Sequence, residues 1–150
     1  MKRLLTICIC AILLVSMVFP ASAAEQPPEE YGVERVLGNG LTVIDEITIY
    51  SQARSTDKRV ERKGTIKDGD TVIGVIAFEA VFRYNGSTVS VVSKTVTQTD
   101  TYAGWSYKQK SFTSSGGTVT LDAKLTKLLI FNIAFTFTLS CDKNGNISYT

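Results

Sequence analysis

The side chains able to take part in catalysis are few, because the sequence contains no histidine. A chain without histidine cannot form a Ser-His-Asp triad, a Cys-His pair or a His-ligated zinc site. Cys141 stands between Ser140 and Asp142, and neither neighbour supplies the positive charge that activates a thiol. We interpret Cys141 as a free structural thiol, with a bridge to a second chain as the alternative, and we expect no catalytic residue, metal or cofactor.

Oxygen-bearing side chains offer two other kinds of site. Asp142, Asn144 and Asn146 have the one-three-five spacing of a calcium loop, but Ile147 occupies the sixth position, where such a loop needs glycine. The spacing therefore favours a hairpin turn. Glycoside cleavage needs two carboxyl groups facing each other across a groove, and no spacing marks a pair among the available acids, which are Asp45, Glu46, Glu79 and Asp122.

Aromatic side chains offer a candidate binding surface. Tyr102, Trp105 and Tyr107 lie close together in the sequence, and Tyr and Trp are enriched at binding surfaces because they present rigid, amphipathic area. The alternative is that Trp105 anchors the core. Tyr102 precedes Gly104 in a predicted loop, so we expect it to be exposed.

A run of basic side chains is the second binding candidate. Six of them, interrupted by Asp57 and Glu61, lie within fourteen positions: Arg54, Lys58, Arg59, Arg62, Lys63 and Lys67. Of these, Arg59, Arg62 and Lys63 are the residues that we expect to contact an acidic wall polymer. The alternative is a solvated edge strand, whose charges prevent pairing with other sheets.

The first 23 residues have the order of a secretory signal peptide. A pair of positive charges precedes an apolar run over residues 4–19, and Pro20 and the small residues 21–23 follow. The run is shorter than the ~20 residues that span a bilayer. We therefore expect cleavage between Ala23 and Ala24, secretion, and no membrane contact afterwards. Cleavage leaves equal numbers of acidic and basic residues, which argues against nucleic-acid binding.

From Leu41 onward, apolar and polar residues alternate with the period of two that is typical of half-buried strands. Asp45 interrupts the alternation in the first predicted strand, because this charged residue falls on the apolar side. A change of phase predicts a bulge near Val91 and Val92, and Asp68-Gly69 and Asn85-Gly86 predict hairpin turns. The predicted strands cover residues 41–49, 58–67, 72–84, 88–98, 102–113, 118–126 and 131–140, with a short segment at 147–149.

These one-faced strands must bury their apolar sides against a second layer. We predict an all-β, antiparallel, immunoglobulin-like β-sandwich of about seven strands, with a small closed β-barrel as the alternative. Bulky residues are expected to fill its centre: Phe78, Phe82, Trp105, Phe131, Phe135 and Phe137. Residues 24–40 are polar and contain Pro27-Pro28, so we predict an extended spacer there and a domain over residues 41–150.

The order of these motifs resembles small secreted β-rich proteins of Gram-positive, Clostridia-type bacteria. The resemblance covers roughly residues 58–149. It is carried by four motifs: Phe82-Arg-Tyr-Asn-Gly-Ser87, Gly104-Trp-Ser-Tyr-Lys108, Ser115-Gly-Gly-Thr-Val-Thr120 and Leu139-Ser-Cys141. Such proteins often carry a second cysteine after the Asn-Gly turn, where this chain has Ser90, Val91 and Val92. The resemblance implies the fold and secretion, and it implies no activity.

The leading hypothesis is a secreted, non-catalytic, monomeric module that binds a protein or a cell-wall glycan. It rests on the signal peptide, the one-faced strands and the missing catalytic constellation. Two alternatives stay open: a small hydrolase that uses carboxylates alone, and a carrier of a small ligand. A pocket holding two acids would favour the hydrolase, whereas a dry cavity of some hundreds of Å³ would favour the carrier.

Overall fold

The structure is a computed structural model that describes residues 27–37, 40–51, 56–128 and 130–150. The predicted signal peptide, with its expected cleavage between Ala23 and Ala24, lies outside the described residues. The strands are β1 (Glu29–Val36), β2 (Leu41–Ser51), β3 (Asp57–Asp68), β4 (Thr71–Tyr84), β5 (Val89–Thr101), β6 (Trp105–Ser115), β7 (Thr118–Lys127), β8 (Phe131–Cys141) and β9 (Ile147–Tyr149).

The strands form two antiparallel sheets, which confirms an all-β fold consistent with a sandwich. One sheet has the order β1-β2-β3-β4-β5 and the other β6-β7-β8-β9. The described strands do not close into a single barrel, so the barrel alternative is wrong. Strands that neighbour each other in a sheet also neighbour each other in the chain, whereas an immunoglobulin domain interleaves its strands between two sheets. The immunoglobulin-like topology is therefore not confirmed.

The core lies between the two sheets, whose facing sides are called the inner faces below. In β7, buried Val119, Leu121 and Leu125 alternate with half-buried polar residues, because successive side chains point to opposite sides of a strand. Most of the phenylalanines expected in the centre are there, and Phe137 is fully buried. Phe131 departs from the expectation: it begins β8 and is 56% exposed.

The segment expected to be a spacer contains a strand. β1 pairs with β2 over its whole length, from Glu29 opposite Ile49 to Val36 opposite Thr42. The alternation of apolar and polar residues does not reveal β1, because glutamate and glycine have low strand propensity. The strand also buries little: all of its residues are exposed except half-buried Arg35. The first sheet therefore begins at Glu29 and not at Leu41.

The charged segment predicted as a strand over residues 58–67 is β3, but it does not lie at an edge. β3 pairs with β2 on one side and with β4 on the other, so the alternative of a charged edge strand is wrong. The turn after β3 consists of Gly69 and Asp70, one residue later than predicted, and only Gly69 has a positive φ, of 56°. The basic residues Arg59, Arg62 and Lys63 of β3 instead form ion pairs with acidic residues of β2 and β4.

The bulge predicted in β5 is confirmed. Val81 pairs with Ser93 and the next residue, Phe82, pairs with Val91, so Val92 is left without a partner in the ladder. The extra residue restores the inward phase of the following valine, Val96, which packs against the core.

Within the described ranges, no helix has the length and apolarity that a membrane span requires.

Candidate functional site

The aromatic residues do not form the expected platform. Trp105 and Tyr107 are half-buried and pack against the core from the inner face of β6, while Tyr102 is 46% exposed in the preceding loop. The Lys127 Nζ lies 5.8 Å from the centre of the Trp105 ring. Burial raises the pKa of the Tyr107 hydroxyl, which has no hydrogen-bond partner among the described residues.

The basic residues do not converge either, and the expectation for Arg62 is wrong. Its side chain is 0% exposed, so it cannot contact a wall polymer. Arg59 and Lys63 lie on the outer face of the same strand, where Arg59 pairs with Glu79 at 2.6 Å and Lys63 with Glu46 at 2.8 Å. Successive strand positions alternate between faces, so three basic residues near one another in sequence point to opposite sides of the sheet. Arg54 lies outside the described residues.

Arg62 instead joins the two sheets. Its Nε and Nη2 donate to Asp45 Oδ1 at 2.9 and 2.8 Å, and its Nη1 donates to the carbonyl oxygens of Thr138 and Thr150, both at 2.6 Å. Asp45 Oδ2 also lies 2.7 Å from Arg35 Nε, an ionic contact without hydrogen-bond alignment. A buried ion pair of this kind needs such additional bonds to offset desolvation, and burial lowers the pKa of Arg62.

The sequence contained a signal for this cluster. Asp45 falls on the apolar side of β2, and Arg62 falls on the same side of β3 as Val60 and Ile66. Charged residues are almost never fully buried unless they are paired. Two opposite charges at buried phases of neighbouring strands therefore indicated an internal ion pair, which the interpretation of Arg62 as a surface residue overlooked.

The acids considered for hydrolysis are separated. Asp45 lies inside, Glu46 and Glu79 lie on the outer face of the five-stranded sheet, and Asp122 lies on the outer face of the other sheet. Asp122 accepts hydrogen bonds from Thr136 Oγ1 at 2.7 Å and Ser111 Oγ at 2.8 Å, which lower its pKa. These four carboxyl groups do not form a facing pair in a groove.

The turn between β8 and β9 uses the suspected calcium ligands for itself. Asp142 Oδ1 accepts the backbone N–H groups of Asn144 and Asn146 at 2.8 and 2.9 Å, and Oδ2 accepts Asn146 Nδ2 at 2.7 Å. These bonds lower the pKa of Asp142 and confirm the hairpin interpretation. In the described part of the chain, no three acidic, cysteine or histidine side chains gather as metal ligands would.

Cys141 is buried at the end of β8, and it is a free thiol. Its Sγ lies 3.4 Å from the carbonyl oxygen of Asp142. Burial raises the pKa of the thiol, which disfavours the thiolate, the reactive form of cysteine. Its burial agrees with a structural role and disfavours a disulfide bridge to a second chain, because the thiol is not accessible at the surface.

The described residues form a groove that the sequence did not indicate. It holds about 300 Å³ and lies where the inner faces of β1 and β2 meet β9 and the turn before it. We call it the β1–β9 groove. Its apolar and aromatic lining is Ile47, Ile49, Ile147, Tyr31 and Tyr149, and its polar lining is Glu29, Lys58, Gly145 and Asn146.

The charged groups of the β1–β9 groove are hydrogen-bonded to the protein. The Tyr31 hydroxyl donates to Glu29 Oε2 at 2.8 Å, a bond that raises the pKa of the tyrosine. Lys58 Nζ donates to the Gly145 carbonyl at 2.5 Å. The groove therefore offers aromatic and apolar contact to a ligand, together with the Glu29 carboxylate and the Lys58 amine.

Comparison with known proteins returned no matching family model, no matching curated protein and no matching solved structure.

Proposed function

We propose that this chain is a secreted, non-catalytic module that binds a segment of another protein in the β1–β9 groove. The observation that supports the proposal is a groove of about 300 Å³ with two tyrosines and three isoleucines in its lining, beside an edge strand. Binding pockets are typically apolar and aromatic, with a few polar groups that orient the ligand.

A polypeptide suits this lining better than a cell-wall glycan. Sugar hydroxyl groups need several unengaged donors and acceptors, because any hydroxyl buried without a partner costs binding free energy. Here Glu29 and Lys58 already bond to Tyr31 and Gly145. An extended peptide would place apolar side chains against Ile47 and the tyrosines, while the edge of β1 lies near its backbone.

Secretion is part of the proposal, and the signal segment of residues 1–23 supports it. N-terminal sequencing of the protein released by expressing cells tests it. We expect a chain that begins at Ala24, and a chain retained with its first residues would contradict this part.

The binding proposal is tested by nuclear magnetic resonance on ¹⁵N-labelled residues 24–150. The probes are a set of synthetic extended peptides of differing charge, and soluble peptidoglycan fragments. We expect peptides to shift the amide signals of Tyr31, Ile147 and Tyr149. Tyr31→Ser should weaken peptide binding by about tenfold, as truncation of an aromatic contact residue at an interface does.

Tyr102→Ser is the matched control, because Tyr102 is 46% exposed and Tyr31 49% exposed. It should leave the affinity unchanged. Binding of the glycan fragments alone, or peptide-induced shifts confined to residues outside the β1–β9 groove, would contradict the proposal. An equal loss in both variants would show a general effect of removing surface tyrosine and would also contradict it.

A further inference from the structure

Among the described strands, four form the edges of the two sheets, and three of these are protected by their length or their register. β5 has register shifts against β4 at two places, Ala77/Phe78 and Val81/Phe82. β6 has one against β7, between Gln109 and Ser111. β9 is only three residues long. Bulges and short lengths are the means by which natural sheets prevent an added strand from pairing with an edge.

The fourth edge, β1, has neither a bulge nor a short length, and its pairing is limited only by the charges of Glu29, Glu30, Glu34 and Arg35. Its eight residues pair with β2 in an unbroken register, and it contains no lysine or proline. Among the described residues, no strand lies on its other side. A regular strand of this length presents a row of backbone donors and acceptors, which is the geometry that extended peptides use when they add to a sheet.

The two faces of β1 differ in chemistry. Tyr31 and Val33 lie on the inner side, and they are 49% and 45% exposed because the other sheet does not cover them. Glu30 and Glu34 lie on the outer side, and Gly32 between them has nothing within 4 Å of the place where a side chain would begin. A shallow depression of about 540 Å³ runs along this stretch and includes Glu46 in its lining.

The charge along β1 determines which charge a strand must have to pair with this edge. Glu29, Glu30 and Glu34 are exposed, and the positive charge of β1 is Arg35, which lies 2.7 Å from the Asp45 carboxylate that it shares with Arg62. Three negative charges stand against one positive charge along β1. The edge is therefore negative. A second copy of β1 would bring the same carboxylates to the contact, and like charges in neighbouring positions of a sheet are destabilising. A basic strand would complement them.

We propose that β1 accepts an extended segment of a partner protein in which lysine or arginine alternates with apolar residues. The segment adds to the five-stranded sheet as a sixth strand. Its basic side chains lie over Gly32, between Glu30 and Glu34, and its apolar side chains lie beside Tyr31 and Val33 at the mouth of the β1–β9 groove. This inference rests on the proposed function, because it names the class of partner for the same site.

The test uses fluorescence anisotropy on residues 24–150 with three labelled peptides of eight residues, the length of β1. In the first, lysine alternates with valine or threonine. In the second, glutamate replaces each lysine. The third has the composition of the first with its lysines grouped at one end. We expect only the first to bind, and to bind more weakly as salt rises to about 0.15 M, where charges are screened beyond about 8 Å.

The double variant Glu30→Lys/Glu34→Lys should reduce the affinity for the first peptide by about tenfold, since two favourable surface charge contacts become repulsive. Its matched control is Asp70→Lys/Asp100→Lys, which changes the net charge equally at the β3–β4 turn and on β5. The control should keep the original affinity. An equal loss in the control would show that the peptide responds only to net charge, and that result would overturn the inference.

Backbone pairing is tested separately with Gly32→Pro and Val33→Pro. Neighbouring residues of a strand point their N–H groups to opposite sides, so one of the two substitutions faces β2 and the other faces the incoming strand. We expect the variant whose native amide does not pair with β2 to stay folded and to lose peptide binding. Unchanged binding in that folded variant would overturn strand addition.

The outcomes separate this inference from the proposed function. Peptides that shift Tyr31 and Tyr149 irrespective of their charge would leave the groove as a binding site and overturn the basic-strand inference. A concentration-dependent dimer that Glu30→Lys/Glu34→Lys abolishes would identify a second copy as the occupant and overturn it as well. Peptidoglycan binding without peptide binding would remove both proposals.

Discussion

Arg62 connects the two sheets through hydrogen bonds of a single side chain. Its guanidinium group bonds to Asp45 within its own sheet and to the Thr138 and Thr150 carbonyls of the other. Phe137 lies over the same group, with 4.6 Å between the guanidinium carbon and the ring centre. All four contacts depend on a side chain that is 0% exposed.

Replacing Arg62 with methionine should lower the free energy of unfolding by about 1.5–3 kcal/mol, because buried Asp45 loses the hydrogen bonds of the guanidinium group and keeps only Arg35 as its charge partner. The Thr138 and Thr150 carbonyls lose the same group and still accept each other's backbone N–H groups. Urea denaturation of residues 24–150 measures this. Arg59→Met is the control on the same strand: Arg59 is exposed, so the change should cost no more than about 1 kcal/mol. Equal effects in the two variants would refute the structural role assigned to Arg62.

Among the connecting elements, the β8–β9 turn depends on the charge of one carboxylate. Asp142 in its ionised form accepts three hydrogen bonds from Asn144 and Asn146. The turn also places Gly145, with a φ of 86°, against the ring of Tyr84, at a position where an added side chain would meet that ring. The turn therefore helps to shape one end of the β1–β9 groove.

Acid should loosen this turn. Hydrogen bonds from Asn146 and Asn144 hold the pKa of Asp142 below its ordinary value in the folded protein. Its contribution to stability is therefore complete above the ordinary pKa of about 3.9 and is lost as the pH falls through the lower folded value. Asp57 and Asp122 are shifted in the same direction. We expect the thermal midpoint to fall with acidification below about pH 4.

Asp142→Asn should lower the midpoint at neutral pH and flatten its dependence on pH, since the amide cannot ionise. Asp70→Asn, at an exposed position of another turn, is the comparison and should follow the unaltered protein. A midpoint that is independent of pH in the unaltered protein would rule out this account of the turn.

At the scale of the whole domain, the two sheets approach each other closely at Gly64, where β3 has no side chain. A side chain at Gly64 would begin 2.6 Å from the ring of Phe137, so the ring of β8 occupies the space that β3 leaves open. Gly64 also lies opposite Asp45 in the ladder. The ion cluster, the ring and the glycine therefore form one contact between the layers.

Gly64→Ala should reduce stability by about 1–3 kcal/mol through overpacking. Adding Phe137→Leu should recover part of the loss, because the smaller side chain makes room. Gly32→Ala is the control, since nothing lies within 4 Å of that position. A double-mutant cycle by denaturation would contradict the contact if Gly64 and Phe137 proved independent.

Local patterns were sufficient for most strands and insufficient for their arrangement. Alternation predicted residues 72–84 and 118–126 almost as the structure has them, at Thr71–Tyr84 and Thr118–Lys127. The period of two is a property of neighbouring residues and can be read without knowing the partner strand. The edge strand β1 was missed because it buries too little to leave that pattern.

The sequence alone therefore predicted most of the β-strands and established the lack of histidine chemistry, because each is a property of adjacent residues or of composition. The signal segment stays a prediction of the same local kind. The folded molecule settled which strand is central, that Arg62 meets Asp45 inside, and that β1 and β9 form a groove. Those features depend on pairings between residues far apart in the chain. Which strands pair, and in which register, depends on how all the strands bury their apolar faces together, so a pattern of neighbouring residues does not predict it.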